Sequence, residues 1–242
     1  MKRWMTALAG SVLGLLTACS VALAGSSARQ TPSPQVTGVT IAGSRIVVAN
    51  PDFTFLAPTE PGWGFSDQPK MLRLPKSTSP GDPQQLPLVM AFGKTVPQQD
   101  PKRGPRTVAA TMSIEAISPN DRHQTAQPSR RQTLLNDLIQ SSEPSRGQEI
   151  DGRDRLVSIT VVVDNSPGSD CARVDDVVIE RSVRGFVGRK FMAATHRYEC
   201  LDPSGRFLIV LLYGERVPDG VASIDITAEG EAFLHSLRFG KQ

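Results

Sequence analysis

The chain is poor in the side chains that most often carry chemistry. Its 242 residues include three histidines, three cysteines, two tryptophans and two tyrosines, and aromatics make up 5% of the whole. His123, His196 and His235 stand far apart, none with a second histidine at ligand spacing. No P-loop, H-E-x-x-H, G-x-G-x-x-G, G-x-S-x-G elbow or C-x-x-C occurs, so no cofactor and no metal is expected. An excess of one charge is missing too: 27 Lys and Arg face 24 Asp and Glu. That balance excludes a strongly basic nucleic-acid binder, and no interleaving of aromatics with basic residues suggests a single-stranded nucleic-acid groove. The hydrophobic content of 39% is too high for a disordered tail and too low for a polytopic membrane protein.

What is present begins at the front. Lys2 and Arg3 precede an uncharged apolar run from Met5 to Leu16, which is too short to span ~30 Å of hydrocarbon as a helix. It reads as an export signal rather than a transmembrane anchor. Two processing sites follow it. Leu16-Thr17-Ala18-Cys19 resembles the lipobox of bacterial lipoproteins, whose cysteine thiol is lipidated and becomes the first residue of the mature chain. Ala22-Leu23-Ala24 before Gly25 fits ordinary secretory cleavage instead, and Val21 to Ala24 is apolar where lipoprotein tethers usually turn polar. The lipoprotein resemblance implies a membrane partner engaged through two or three acyl chains, enough for stable anchoring. It also implies, through Ser20 after the cysteine, an outer-membrane address facing the periplasm. Cleavage at Ala24 would give a soluble periplasmic or secreted product. Loss of residues 1–18 leaves 25 basic against 24 acidic residues, a net +1, so nucleic acid is not expected as a partner.

Cys171 and Cys200 remain as an even pair in a chain marked for an oxidising compartment, most simply a disulfide closing a 30-residue loop. The expected organisation is a signal at 1–18, a lipidated cysteine and tether at 19–37, and one globular domain over 38–242.

Within that domain, Val39–Ile41 and Arg45–Ala49 around Ala42-Gly43-Ser44 read as a hairpin, and Phe53 and Phe55 share one strand face. Ser66–Pro87 reads as a long exposed loop. Leu88–Phe92 and Thr107–Ile117 are strands, the second with Val108, Ala110, Met112 and Ile114 alternating with mostly polar neighbours. Ser129-Arg130-Arg131-Gln132 has capping-box form before Leu134, Leu135, Leu138 and Ile139, which share a helical face. Arg155–Val163 and Val177–Arg181 are further strands. Lys190–Cys200 and Phe207–Glu215 form a hairpin around Asp202-Pro203-Ser204-Gly205, and Glu229–Leu237 is a closing helix. These elements give an α+β class, with a mainly antiparallel sheet of about seven or eight strands and two principal helices.

The F-x-F strand running into a Pro-rich turn with Trp63, the strand–helix–strand order and the final helix ending Phe233-Leu234-His235-Ser236-Leu237-Arg238-Phe239 resemble the Mog1/PsbP-like fold over roughly residues 45–239. The long loops and the cysteine pair depart from it. The resemblance implies an accessory or assembly module that binds other proteins.

Two segments invite a site. Arg181, Arg184, Arg189 and Lys190 surround Gly185 and Gly188 and suit an anion or an acidic partner, unless Asp175, Asp176 and Glu180 upstream neutralise them. Asp164–Asp170 is oxygen-rich but lacks the frame of a calcium loop, so a turn is expected. The leading expectation is a lipid-anchored, non-catalytic envelope protein serving as an accessory or protein-binding module. A carrier of a small apolar or amphipathic ligand and a hydrolase with an unrecognised site are the alternatives.

Overall fold

The computed structural model describes residues 37–65, 88–94, 96, 104, 106–118, 121, 127–142, 149–150, 154–181, 183, 186 and 188–240. The expected signal and tether, including Cys19, the Ser66–Pro87 loop, His123 and Arg184 lie outside these residues.

Apolar alternation sets the strands, and short turns set their antiparallel pairing. β1 (Thr37–Ala42), β2 (Arg45–Asn50) and β3 (Asp52–Leu56) form a meander that β12 (Arg238–Phe239) completes as a four-stranded sheet. The β1–β2 turn holds Gly43 at φ 62°, a left-handed conformation that glycine adopts without steric cost. The larger sheet has eight strands: β4 (Trp63–Phe65), β5 (Leu88–Lys94), β6 (Thr107–Ala116), β7 (Glu149–Ile150), β8 (Asp154–Val163), β9 (Asp170–Glu180), β10 (Phe191–Leu201) and β11 (Phe207–Pro218). Its order is β4-β5-β6-β11-β10-β9-β8-β7. Two antiparallel meanders, β4–β6 and β7–β11, therefore meet where β6 pairs β11. The helices are α1 (Pro128–Ser142), between the meanders, and α2 (Thr227–Leu234), after the second. The class is α+β with a mostly antiparallel sheet; the strand total exceeds the expected seven or eight because β4, β7 and β12, two or three residues each, are too short to carry a readable period.

Each face of the large sheet carries its own core. On one, Ile46, Val48, Phe53 and Phe55 of the small sheet pack with Met90, Phe92, Met112, Ile114, Leu211 and Tyr213, and with Phe233, Leu234 and Leu237 from α2 and the turn after it. The Phe55 ring meets Phe92 at 6.5 Å and Phe233 at 6.0 Å, both edge to face. Burying such a side chain stabilises by about 1.5–3 kcal/mol. On the other face Leu135 and Ile139 of α1 pack on Ala172, Val174, Leu201 and Leu208. Among the described residues no helix is long and apolar enough to cross a membrane.

Three expectations are corrected. Ser129 is not an N-cap: the helix starts at Pro128, where a missing N–H costs nothing, and the Gln132 amide donates to Asn136 instead of turning back. β9 begins at Asp170, seven residues before Val177, because its charged residues are matched across the sheet rather than solvated. α2 spans Thr227–Leu234, and its end tightens through i→i−3 bonds from Ser236 to Phe233 and Leu237 to Leu234.

Candidate functional site

Period-two alternation on β9, β10 and β11 turns Arg173, Asp175, His196, Tyr198 and Tyr213 toward the α2 face, and register makes them neighbours. His196 lies opposite Asp175 on one side and Tyr213 on the other, while Tyr198 lies opposite Arg173. Helix α2 adds Glu231 from above, and His235 follows one turn later.

These groups saturate one another. Arg173 donates through both terminal nitrogens to Glu231 at 2.6 Å each, and its Nε to Asp175 at 3.1 Å. Tyr213 donates its hydroxyl to the same Glu231 at 2.9 Å, with its ring stacked 4.8 Å from that of His196. His196 Nδ1 is 2.7 Å from Asp175. Tyr198 donates a short hydrogen bond to Asp164, and its oxygen is 3.3 Å from His235 Nδ1; His235 Nε2 in turn is 3.3 Å from Glu231. The bidentate Arg173–Glu231 pair is the strongest tie, since both partners are charged and the fork fits the carboxylate.

The electrostatics follow the contacts. The Arg173 guanidinium, helped by the Tyr213 hydroxyl against the opposing effect of burial, holds the Glu231 carboxyl below its usual range. Burial alone would raise Asp164, but hydrogen bonds from Tyr198 and Ser166 outweigh it and lower it. Burial, then the carboxylates they serve, push both tyrosines up. A carboxylate whose folded value is depressed contributes stability above its unfolded value and loses it as pH falls through the folded one. Melting temperatures measured from pH 7 to pH 3 are therefore expected to fall less steeply in Glu231→Gln than in wild type, with the variant less stable at neutral pH. Parallel curves would contradict this role for Glu231.

The Asp175–His196 pair has the form of a base with its orienting acid, but a nucleophile is also needed. Among the described residues no serine or threonine hydroxyl donates to His196. The second alignment of charges, on the α1 face, is more deeply buried: Arg197 donates to Glu199 at 2.7 Å and to Asp176, which also accepts from Thr195 at 2.7 Å. Buried charges arranged in this way are costly to break singly, because each would leave another unpaired. Sequence reading missed Arg173, Glu231, Asp176 and Arg197. The available signal was the alternation of charge along Arg173–Asp176, which a β strand distributes to two faces.

The basic segment is the loop between β9 and β10. Arg181, Arg189 and Lys190 are exposed, the loop is closed by Gly188 N–H donating to Arg181 O at 3.2 Å, and Arg189 sits 5.8 Å over the Phe186 ring. The upstream acids do not neutralise it: Asp175 and Asp176 are engaged as above, and Glu180 takes Arg216. Asp164–Asp170 is a turn that binds its own backbone. Asp164 accepts from Ser166 N–H at 3.0 Å and Asn165 Oδ1 from Cys171 N–H at 2.8 Å. Cys171 and Cys200 are paired directly across β9 and β10 and joined by a disulfide that is fully buried. A shallow cleft of about 140 Å³ lies between Asn50–Asp52 and the β10–β11 turn; it is smaller than the ~300 Å³ lower bound of ligand pockets.

No family model matches the chain, and no curated protein matches it in sequence. Among solved structures it is similar to the crystal structure of LpqN, involved in cell envelope biogenesis of Mycobacterium tuberculosis. The identity is 13%, over 78% of this chain and 84% of that one, with a TM-score of 0.35. A likeness of that size says nothing about function.

Proposed function

We propose that the protein is a lipid-anchored, non-catalytic envelope protein that faces the periplasm from the outer membrane and acts by binding another protein. The observation that carries the reading is a contrast. Among the described residues His196, His235 and the acids beside them are engaged with one another, while an apolar strand segment, Val161–Val163, lies 42–53% exposed to solvent. Exposed β-branched residues on an outer strand suit pairing with another chain better than chemistry. The address rests on the Leu16–Cys19 lipobox and Ser20, and a buried disulfide suits an oxidising compartment. The exposed Arg181, Arg189 and Lys190 offer a second, basic contact for an acidic partner surface.

Cell fractionation tests the reading. Cys19→Ser is expected to move the protein from the membrane pellet to the soluble periplasmic fraction, or to block its maturation. Retention in the pellet with a mature start at Gly25 would contradict it.

A further inference from the structure

Cations gather where β9 leaves the large sheet and β10 returns to it. Ile179 of β9 lies opposite Met192 of β10 on one side and Arg155 of β8 on the other. Arg181 and Lys190 stand two residues beyond Ile179 and Met192, so strand alternation carries both onto the face of that row. Arg155, Arg181, Arg189 and Lys190 are all exposed, and Met192 beside them is 48% exposed. Among the described residues none of these four side chains has an ion pair; Arg189 leans on the Phe186 ring instead. Glu180 alternates to the opposite face and holds Arg216. Two further acids meet only the backbone here. Asp154 accepts from the Arg181 amide at 2.7 Å, and the Asp219 amide donates to Lys190 O at 3.0 Å.

The last ladder pair is Glu180 with Phe191, so Arg181 and Lys190 face each other one step beyond it. Like charges placed opposite one another destabilise a strand pair, and an external anionic surface relieves that repulsion. We propose that this end of the large sheet rests on the anionic headgroups of a lipid surface, with Met192 reaching between the cations into the interface.

Three observations favour lipid over an acidic protein. The patch has no exposed aromatic anchor of the kind that centres protein interfaces; its exposed apolar residue is one methionine ringed by long cationic side chains. Basic residues around an apolar tip suit the headgroup boundary of a bilayer. An acyl anchor at Cys19 would also keep such a surface at high effective concentration. About 18 residues join Cys19 to Thr37, a length that spans up to ~60 Å. Thr37 pairs with Asn50, which lines the cleft beside the β10–β11 turn, at the far end of β10 from Lys190. That distance is about 35 Å along the strand, so the tether lets the basic end turn onto the anchoring bilayer. The acyl chains hold the protein at the membrane, and the patch sets how the domain lies on it. The inference rests on the lipid-anchored reading and names the acidic surface met by the basic contact as the membrane's own.

An environment-sensitive fluorophore on Met192→Cys tests it, in the full acylated chain reconstituted into vesicles. One set is phosphatidylcholine alone and the other equal parts phosphatidylcholine and phosphatidylglycerol. The other cysteines are held in the disulfide and the lipid linkage, so the label is specific. The expected result is blue-shifted emission in the anionic vesicles only, reversed near ~1 M salt, where the screening length falls to about 3 Å. A cation near an anionic surface is worth roughly fivefold in partitioning, so Arg181→Gln/Lys190→Gln should weaken docking about 25-fold. A probe on Ser204→Cys, at the opposite end of the hairpin, should not respond. Arg155→Cys, exposed in the same row, carries the label if Met192→Cys fails to fold. Equal emission in both vesicles, a shift that survives the double substitution, or an equal response at Ser204 would overturn the docking and leave the cations to a protein. Recovery with the neutral vesicles reports the anchor separately. A chain lost from those vesicles that still shifts on anionic ones would sink the anchor and keep the docking.

Discussion

Gly230→Val is expected to lower the melting temperature by roughly 2–12 °C, the cost of about 1–3 kcal/mol of overpacking spread over a chain of this size. Gly230 sits in α2 against Tyr213, and a Cβ there would come within 2.1 Å of the ring. The ring cannot give way. It is buried, stacked on His196 and tied through its hydroxyl to Glu231 on the same helix. The helix must therefore lift, loosening the Arg173–Glu231 bridge and Phe233 beneath it. Glycine at this place forgoes about 1 kcal/mol of helix propensity relative to alanine, which is the sign of a packing demand that outweighs it. Differential scanning calorimetry measures the shift. A valine variant that melts with wild type would mean that α2 does not rest on Tyr213.

The second large effect concerns the Cys171–Cys200 bridge. Removing it with Cys171→Ala/Cys200→Ala is expected to cost roughly 3–4 kcal/mol, because the cross-link restricts a 30-residue loop in the unfolded chain. At 2–4 °C per kcal/mol, the melting temperature falls by about 10 °C. The bond is fully buried between two central strands. Thiol reductant alone should leave the native protein unchanged, whereas reductant in partial denaturant should lower the unfolding midpoint to that of the double variant. Urea unfolding followed by circular dichroism distinguishes these cases. Rapid reduction under native conditions would contradict the buried placement.

Much of the scaffold was legible because side-chain period and turn chemistry agree along the chain. The alternation of Val108, Ala110, Met112 and Ile114 marks β6, and the Asp202–Gly205 turn fixes the β10–β11 register, with Asp202 accepting from the Ser204, Arg206 and Phe207 amides. Where a segment's partners are distant, the signal fades. The first half of β9 reads as a charged loop until Arg173 meets Glu231 and Asp176 meets Arg197. Likewise β12 is two residues long, with no period to read, and exists because Arg238 and Phe239 reach β3.

The candidate site was less legible than the fold for the same reason. His196 and His235 are 39 positions apart in sequence, yet one network holds both through Asp175, Glu231 and Tyr198. Spacing cannot reveal a neighbourhood created by register on three strands. The exposed edge of β8 was equally hidden. Its sequence reads as any other strand, and among the described residues β7 pairs it only at Asp154 and Arg155.

The central claim is an acylated cysteine at position 19. Intact-mass and N-terminal peptide analysis of the protein extracted from envelopes tests it most directly. The account predicts a mature chain that begins at Cys19 and carries the added mass of two or three acyl chains. An unmodified chain beginning at Gly25, recovered from the soluble fraction, would contradict it.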